Sequence, residues 1–346
     1  MTLLPSRSSP PEPGNTAAVL VTYGSRYEFL SQVVQVLLDM GIAKIIIVDN
    51  GSPVENRSKV RRYSRNHPRE IELIRLPRNT GSAGGFYIGL QCAQSIPSIE
   101  FVWMLDDDNK PKRDAFLRLC KAYHLLGNNP LFTLLSLRRS RSEYLNAATS
   151  REKVGIKCGS FLGFHVSDWI KERVSRRRVR PLAGDEVYMA PLVGLEYAPY
   201  GGFFFHKSWL ARAGFPNKNF FLYSDDHEFT MRIRDNGGHI YLCAPSELDE
   251  LEPSWGVTSG GPRSVPVLMR AEISEQKIYY FVRNRVYLEK LRCCGVRAIY
   301  WANMCLVLAR VSILATLIGR SPKNVGSRLR LIVRAIKDGR SGKFME

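Results

Sequence analysis

Four short apolar runs punctuate the first hundred residues: AAVLVT (17–22), KIIIVD (44–49), IELIRL (71–76) and EFVWML (100–105). Each has the length of a buried strand rather than of a helix, and most of them are rich in β-branched residues. Stretches of helical length lie between them, such as 27–41 and 84–95. Strand–helix–strand alternation predicts an α/β fold, with a parallel sheet and helices on both faces. In such sheets ligands bind outside the carboxyl ends of the strands. Three of those ends carry polar groups: Tyr23-Gly24-Ser25-Arg26, Asp49-Asn50-Gly51-Ser52 and Asp106-Asp107-Asp108. Parallel strands would bring all three to one edge.

The second half is less regular. LEYAPYGGFFFH (195–206) reads as a strand interrupted by two glycines, and HIYLCA (239–244) as a further strand. Between them a helix is expected from near Asp225 to near Gly237-Gly238. From about residue 272 the pattern turns helical. The stretch AIYWANMCLVLARVSILATLIG (298–319) is apolar over 22 residues, broken by Asn303 and Arg310. The expected organisation is a loose tail over 1–16, a nucleotide-binding α/β domain over 17–265, and a basic helical region over 266–346 that associates with membranes. The tail is rich in Pro and Ser and lacks the apolar core of a secretory signal.

Composition sharpens this picture in two ways. Hydrophobic residues make up 45% and charged ones 24%, which is globular rather than disordered. Seven cysteines without a CxxC pair point to a reducing compartment, and away from a disulfide framework or a structural zinc site. The net charge is +18, and its placement matters more than its size. Residues 266–346 hold 16 Lys+Arg against 5 Asp+Glu, and KERVSRRRVR (171–180) holds 6 against 1. That distribution suits docking on an anionic membrane surface. A span by 298–319 would bury Arg310, at about 2.5–3.5 kcal/mol. Basic residues also flank both ends, so an in-plane interfacial segment is expected. The expected location is cytoplasmic, peripheral at the inner face of the cell membrane.

The aspartate triplet raises the chemical question. Carboxylates at the end of a rigid strand present oxygen ligands to a hard divalent cation with little reorganisation. Residues i and i+2 of a strand point the same way, so Asp106 and Asp108 are candidates to share one cation. A solvated acidic turn is the plain alternative. In LPRNTGSAGGFYIG (76–89), Gly81, Gly84 and Gly85 follow a strand and precede a helix. Such glycines admit a phosphate to backbone N–H groups, or simply allow close packing. Asp225 and Glu228 have the spacing of a capping box, which leaves Asp226 without a structural duty. A carboxylate in a first helical turn is favoured in its ionised form and can accept a proton from a hydroxyl.

Taken together, VLVTYGSR, IIIVDNGS, RNTGSAGGFYIG, MLDDDNKP and GFFFHKSWLARAGFPNKNFFLYSDDHEFTMRI resemble family 2 inverting glycosyltransferases of the GT-A fold. They occur in the order of that family and at about its spacing, over roughly residues 17–290. The nearest likeness is to bacterial rhamnosyl- and galactofuranosyl-transferases that build surface polysaccharides. YYFVRNRVYLEK (279–290) is similar to the segment that follows their catalytic domain. The resemblance implies that Thr22, Tyr23 and Arg26 line the nucleotide site and that Asp49 contacts the base. It places Asn79, Gly81 and Gly84 near the ribose and diphosphate. Asp106 and Asp108 would bind Mn²⁺ or Mg²⁺, with Asp107 beside the donor. Asp226 would be the general base, with Asp225 the second candidate. Gly201, Gly202 and Trp255 would shape the acceptor side.

The implied partners are a UDP- or dTDP-linked sugar donor, a lipid-linked glycan acceptor and an anionic membrane surface. Self-association into a homo-oligomer is compatible with the sequence. One departure from the family is visible. Many relatives carry a metal-binding His about two dozen residues after the acidic pair, where this chain reads APSELDELEPSW. Asp249, Glu250 and Glu252 are the candidates for a third ligand there. Three other functions fit less well. An aspartyl-nucleophile phosphatase would carry its motif on the first strand. A sugar-nucleotide pyrophosphorylase would want a glycine-rich basic loop in place of TYGSRYE. A nucleic-acid partner is not expected, because no such motif accompanies the charge.

Overall fold

The computed structural model describes residues 8–150, 152–175, 189–252, 268, 273–292, 295–317 and 322–344. The chain divides into two compact units. The first comprises Met1–Val154, Met189–Phe221 and Asp225–Ser254; the second comprises Gly155–Tyr188, Leu222–Ser224 and Trp255–Glu346. A single boundary near residue 265 is what composition suggests. The compact units instead also group residues 155–188 and 222–224 with the C-terminal part.

The four apolar runs are strands of the first unit: β1 (Thr16–Thr22), β2 (Lys44–Asn50), β3 (Ile71–Leu76) and β4 (Phe101–Asp106). Helices α1 (Tyr27–Asp39), α2 (Val54–Asn66) and α3 (Gly81–Ser95) connect them. β1 pairs in parallel with β2 and with β4, and β2 with β3. The expected convergence of the strand ends therefore holds. Thr22 lies opposite Asp49, and Val21 opposite Asp106.

Beyond β4 the sheet becomes mixed. β5 (Asn109–Pro111), α4 (Ala115–Leu125), β6 (Phe132–Arg138) and α5 (Ser142–Ser150) come next. In the second unit lies α6 (Val166–Ser175); the first unit resumes with β7 (Leu192–Leu195), β8 (Phe203–His206), α7 (Ser208–Arg212), α8 (Asp225–Asp235) and β9 (His239–Glu250). The sheet order is β3-β2-β1-β4-β8-β6-β9-β5, with β7 on β9. β8 runs antiparallel between β4 and β6. The expected strand at 195–206 is two strands, because Gly201 and Gly202 turn the chain between β7 and β8. β9 also outruns its apolar core and continues to Glu250, where it pairs with β5 and brings Glu250 opposite Asn109.

Alternation along β1 separates two faces. Ala18 and Leu20 join Leu30, Val33 and Val34 of α1 and Leu119 of α4 in one buried cluster. Val19 and Val21 face α3 instead, where Gly89 and Gly85 leave room for them: a Cβ on Gly89 would stand 2.6 Å from Val19 Cγ1. Residues 8–15 differ from a loose tail. Ser8 Oγ bonds the Asn128 carbonyl at 3.0 Å, and Asn15 is buried.

Within the second unit, α9 (Glu275–Arg292), α10 (Arg297–Leu317) and α11 (Pro322–Ser341) share a core. Val282, Val286, Val307, Val311 and Ile332 fill it, together with Phe161. Asn303, one of the two polar breaks in the apolar stretch, is fully buried. It accepts from Val166 N at 3.0 Å and donates to Gly159 O at 2.8 Å, which satisfies the start of α6. Among the described residues no helix is long and apolar enough to cross a membrane.

The tight fit of α3 on β1 gives a direct check. Gly89→Leu forces a large side chain against Val19 and Val48 and should destabilise by about 1–3 kcal/mol, beyond the roughly 1 kcal/mol that helix propensity returns. A denaturant midpoint equal to that of the parent would show that α3 does not sit this close.

Candidate functional site

β4 delivers the aspartates to the carboxyl edge, and each takes a different environment. Asp107 is almost fully buried and accepts from Thr22 Oγ1 at 2.7 Å and from Arg26 Nε at 2.8 Å. Asp108 accepts from Arg26 Nη2 at 2.9 Å and from Asn109 Nδ2 at 2.9 Å. The same guanidinium also pairs with Glu252. Asp106 keeps 43% of its side chain exposed, and its nearest cation is Arg138 Nη1 at 3.7 Å. Burial pushes the Asp106 carboxyl up to about 6, with Arg138 opposing and Asp108 adding to the rise. Burial pushes Asp107 up to about 7 against the pull of Arg26 and Thr22. Asp108 is raised as well, again mainly by burial.

A second basic group supports the far side of this cluster. Arg138, at the end of β6, is buried and pairs with Glu250 at 3.2 Å. Arg141 pairs with the same carboxylate at 2.8 Å, and Ser140 donates to it. Although burial pushes Glu250 up, Ser140 and the two arginines hold its carboxyl below the ordinary value. Gly201 packs directly on this group, since a Cβ there would lie 2.5 Å from Asp106 Oδ2 and 3.2 Å from Arg138 Nη1. Gly202, at φ +99, donates to Met104 O at 2.8 Å and accepts from Ser136 N at 3.0 Å, tying β4 to β6.

Asp108 stands close enough to Asp106 to raise its carboxyl, and two hard carboxylates are the donor chemistry a divalent cation takes. Among the described residues no three His, Cys, Asp or Glu side chains are grouped to hold a metal. The third-ligand candidates are engaged elsewhere. Asp249 pairs with Lys112 at 2.9 Å, Glu250 with Arg138 and Arg141, and Glu252 with Arg26. Of Asp106 and Asp108, the former is the more open to a cation; Asp108 is already engaged by Arg26 and Asn109 and would have to give up one of those contacts to share it.

On the β1–β2 side, Tyr23 is 49% exposed, with the Arg26 guanidinium 5.4 Å from its ring. Asp49 is fully buried; its Oδ1 accepts from Ser52 N at 3.0 Å, and its Oδ2 lies 3.4 Å from Arg57 Nε without a hydrogen bond. Asn79 accepts from Gly81 N at 2.8 Å and from Asn50 Nδ2 at 3.2 Å, while Asn50 accepts from Thr80 N. Gly81 is at φ +75, and a Cβ there would collide with the Phe221 carbonyl. A Cβ on Gly84 would collide with Thr80 Oγ1. Packing therefore accounts for both glycines without a phosphate.

α3 and α8 begin side by side. Ser82 Oγ donates to Asp225 Oδ2 at 2.7 Å. Asp225 is 2% exposed, and burial, then the charge of Asp226, pushes its carboxyl well above the ordinary range. Asp226 keeps 23% of its side chain exposed, accepts from His227 N at 2.8 Å, and is near enough to Asp106 to raise it. Tyr197 stacks on His227 at 4.0 Å. Just before this helix, Phe221, Tyr223 and Ser224 all have positive φ. Non-glycine residues rarely adopt that region, and such strain gathers at functional sites.

Sequence spacing does not reveal Arg138, Arg141, Asn109, Ser82 or Tyr197. The one available signal is the run FTLLSLRRSR, an apolar strand ending in arginines as β4 ends in aspartates. Trp255 lies outside the described residues.

A family model described as Glycosyl transferase family 2 matches residues 18–163. A comparison with curated proteins finds no match. The fold is similar to that of GalNAc-T7 with UDP, GalNAc and Mn²⁺, at 12% identity and a TM-score of 0.52. That match covers 78% of this chain and 48% of the other, so the chain spans about half the length of that protein. It is also similar to the mannosyltransferase PcManGT from Pyrobaculum calidifontis in complex with GDP-Man and Mn²⁺, at 15% identity and a TM-score of 0.51, covering 95% and 88%. The fold is GT-A, a mixed α/β sheet with its polar edge at the ends of β1, β2 and β4.

Asp225 supplies a pH test. Its folded value is raised, so its stabilising contribution is complete below about pH 4 and is lost as pH rises toward that value. Asp225→Asn should keep the parent's melting temperature near pH 5 and lose less of it between pH 5 and 9. Parallel melting curves for the two proteins across that range would contradict a raised Asp225 carboxyl.

Proposed function

We propose that the chain is an inverting, divalent-metal-dependent glycosyltransferase. The observation that carries this is the gathering of Asp106–Asp108, Asp49 and the Asp225–Asp226 pair at one sheet edge in a GT-A fold. The family match over residues 18–163 supports it. So do the similar folds solved with UDP or GDP-Man and Mn²⁺.

Each residue then has a task. Asp49 Oδ2 is buried beside Arg57 and accepts no hydrogen bond, which suits it to a base N–H of the donor. Exposed Tyr23 offers a face for the base, and Arg26 a cation for the diphosphate. Asn79 and Gly81 border this ribose side. Asp106 and Asp108 would hold Mn²⁺ or Mg²⁺, which supplies Lewis-acid stabilisation of the leaving diphosphate. Asp107 is taken by Thr22 and Arg26, and so positions the arginine rather than the ion. Asp226 is the general base, because it is partly open and adjacent to the Asp106 carboxylate. Asp225 is the neutral partner that anchors the helix start through Ser82. A single displacement by an acceptor hydroxyl needs only that base and inverts the anomeric centre.

The donor is read as a UDP- or dTDP-linked sugar such as galactofuranose or rhamnose. The acceptor is read as a hydroxyl of a lipid-linked or polysaccharide glycan in cell-surface synthesis, with the enzyme peripheral at the inner face of the cell membrane.

Asp226→Asn separates binding from chemistry. It should bind nucleotide as the parent does and lose about 10²–10⁴-fold in transfer rate. Transfer within a factor of about three of the parent, against that expected loss, would remove Asp226 from the role of base.

A further inference from the structure

The second unit presents an apolar helix face that its own core does not use. α10 buries Asn303, Met304, Val307 and Val311. On the opposite side Ile299, Ala302, Leu306, Ala309 and Ile313 are exposed. Their spacing of three and four residues makes one continuous stripe, about 20 Å long at the helical rise. Ile299, Leu306 and Ile313 are 43%, 47% and 59% exposed, and Trp301 beside them is 44% exposed. An apolar ridge of this length is not ordinary surface scatter.

One cation lies against the ridge, and more are exposed on the same helices. The Arg340 guanidinium lies 4.2 Å over the Trp301 ring, so the exposed side of α11 adjoins the apolar stripe. Arg330, Arg334, Lys337 and Lys343 are exposed along and after α11, and Arg297 is exposed at the start of α10. The one carboxylate in α10 and α11, Asp338, accepts from the Tyr279 hydroxyl at 2.7 Å.

We infer that this ridge docks in the plane of an anionic lipid surface, with the apolar stripe at the acyl boundary and the arginines and lysines reaching the phosphates. Long cationic side chains lay their stems along apolar surface and keep their heads at the polar layer. A second copy of the chain fits poorly, because symmetric pairing would bring the cations of both copies together. A convex ridge also lacks the groove that a protein segment would fill. The inference names the surface for the membrane attachment proposed above, and its test involves no turnover, so it stands or falls apart from the glycosyl-transfer reading.

The test is co-sedimentation of the full chain with phosphatidylcholine vesicles, with and without phosphatidylglycerol. Binding should need phosphatidylglycerol and should weaken at least about ten-fold between about 0.1 M and about 1 M salt. Leu306→Ser with Ile313→Ser should weaken it about ten-fold or more at an unchanged melting temperature, since both side chains are already exposed. Arg330→Glu with Lys337→Glu should do the same. No partition into phosphatidylglycerol vesicles, or equal partition by the serine variant, would overturn the inference. So would a dimer in solution that Leu306→Ser dissociates, or binding to acidic proteins but not to vesicles.

Discussion

Three adjacent carboxylates at the end of β4 repel one another, and partial burial deepens that repulsion. Much of the first unit answers this constraint. Arg26, projected from the start of α1, spans Asp107, Asp108 and Glu252. Arg138, from β6, faces Asp106 and is itself held by Glu250, which Arg141 and Ser140 also engage. The insertion of β8 between β4 and β6 separates the two arginine systems, and the Gly201-Gly202 turn lets backbone approach the Asp106 carboxylate. Without these cations the triplet would neutralise by taking up protons, and Asp106 and Asp107 already lean that way.

The two acidic residues that open α8 also sit in unlike environments. Asp225 is enclosed and bonded to Ser82; Asp226, one residue on, keeps 23% of its side chain exposed. Burial and the charge of Asp226 raise the enclosed Asp225 carboxyl. The strained backbone through Phe221, Tyr223 and Ser224 precedes this pair, and Phe221 donates its carbonyl to the space that Gly81 leaves.

The parallel half of the fold is legible in the sequence because β1, β2 and β4 are buried on both faces and read as apolar runs, while the edge strand β3 is only partly buried and its run is broken by polar residues. β1 to β4 begin and end within a residue or so of those runs. The aspartate triplet and Asp49 are legible because polar residues directly after such runs mark the ligand edge. The mixed half is not. β6 ends in arginines, β9 continues through the polar stretch PSELDE, and β8 runs antiparallel, so neither period nor chain order indicates their neighbours. Glu250 shows the limit most clearly. In the sequence it is one of three candidates, with Asp249 and Glu252, for a third metal ligand; in the fold it pairs with Arg138 at the end of β6 and with Arg141 just after it, both more than a hundred residues away. The glycines after β3 leave two readings open in the sequence, and the fold shows the close packing of one of them, on Val21, Thr80 and the Phe221 carbonyl. Nor does hydropathy alone reveal that one face of 298–313 is buried in a core while the other is left to solvent.

The central claim is that the β4 aspartates hold a cation together with a nucleoside diphosphate. It is tested most directly by the melting temperature of the full chain with UDP, dTDP, GDP and CDP, each with and without Mn²⁺. A ligand that binds only the folded state raises that temperature by mass action. The account predicts a rise with one of these nucleotides that needs Mn²⁺ and disappears in Asp108→Ala. A rise independent of Mn²⁺, or none with any nucleotide, would contradict it.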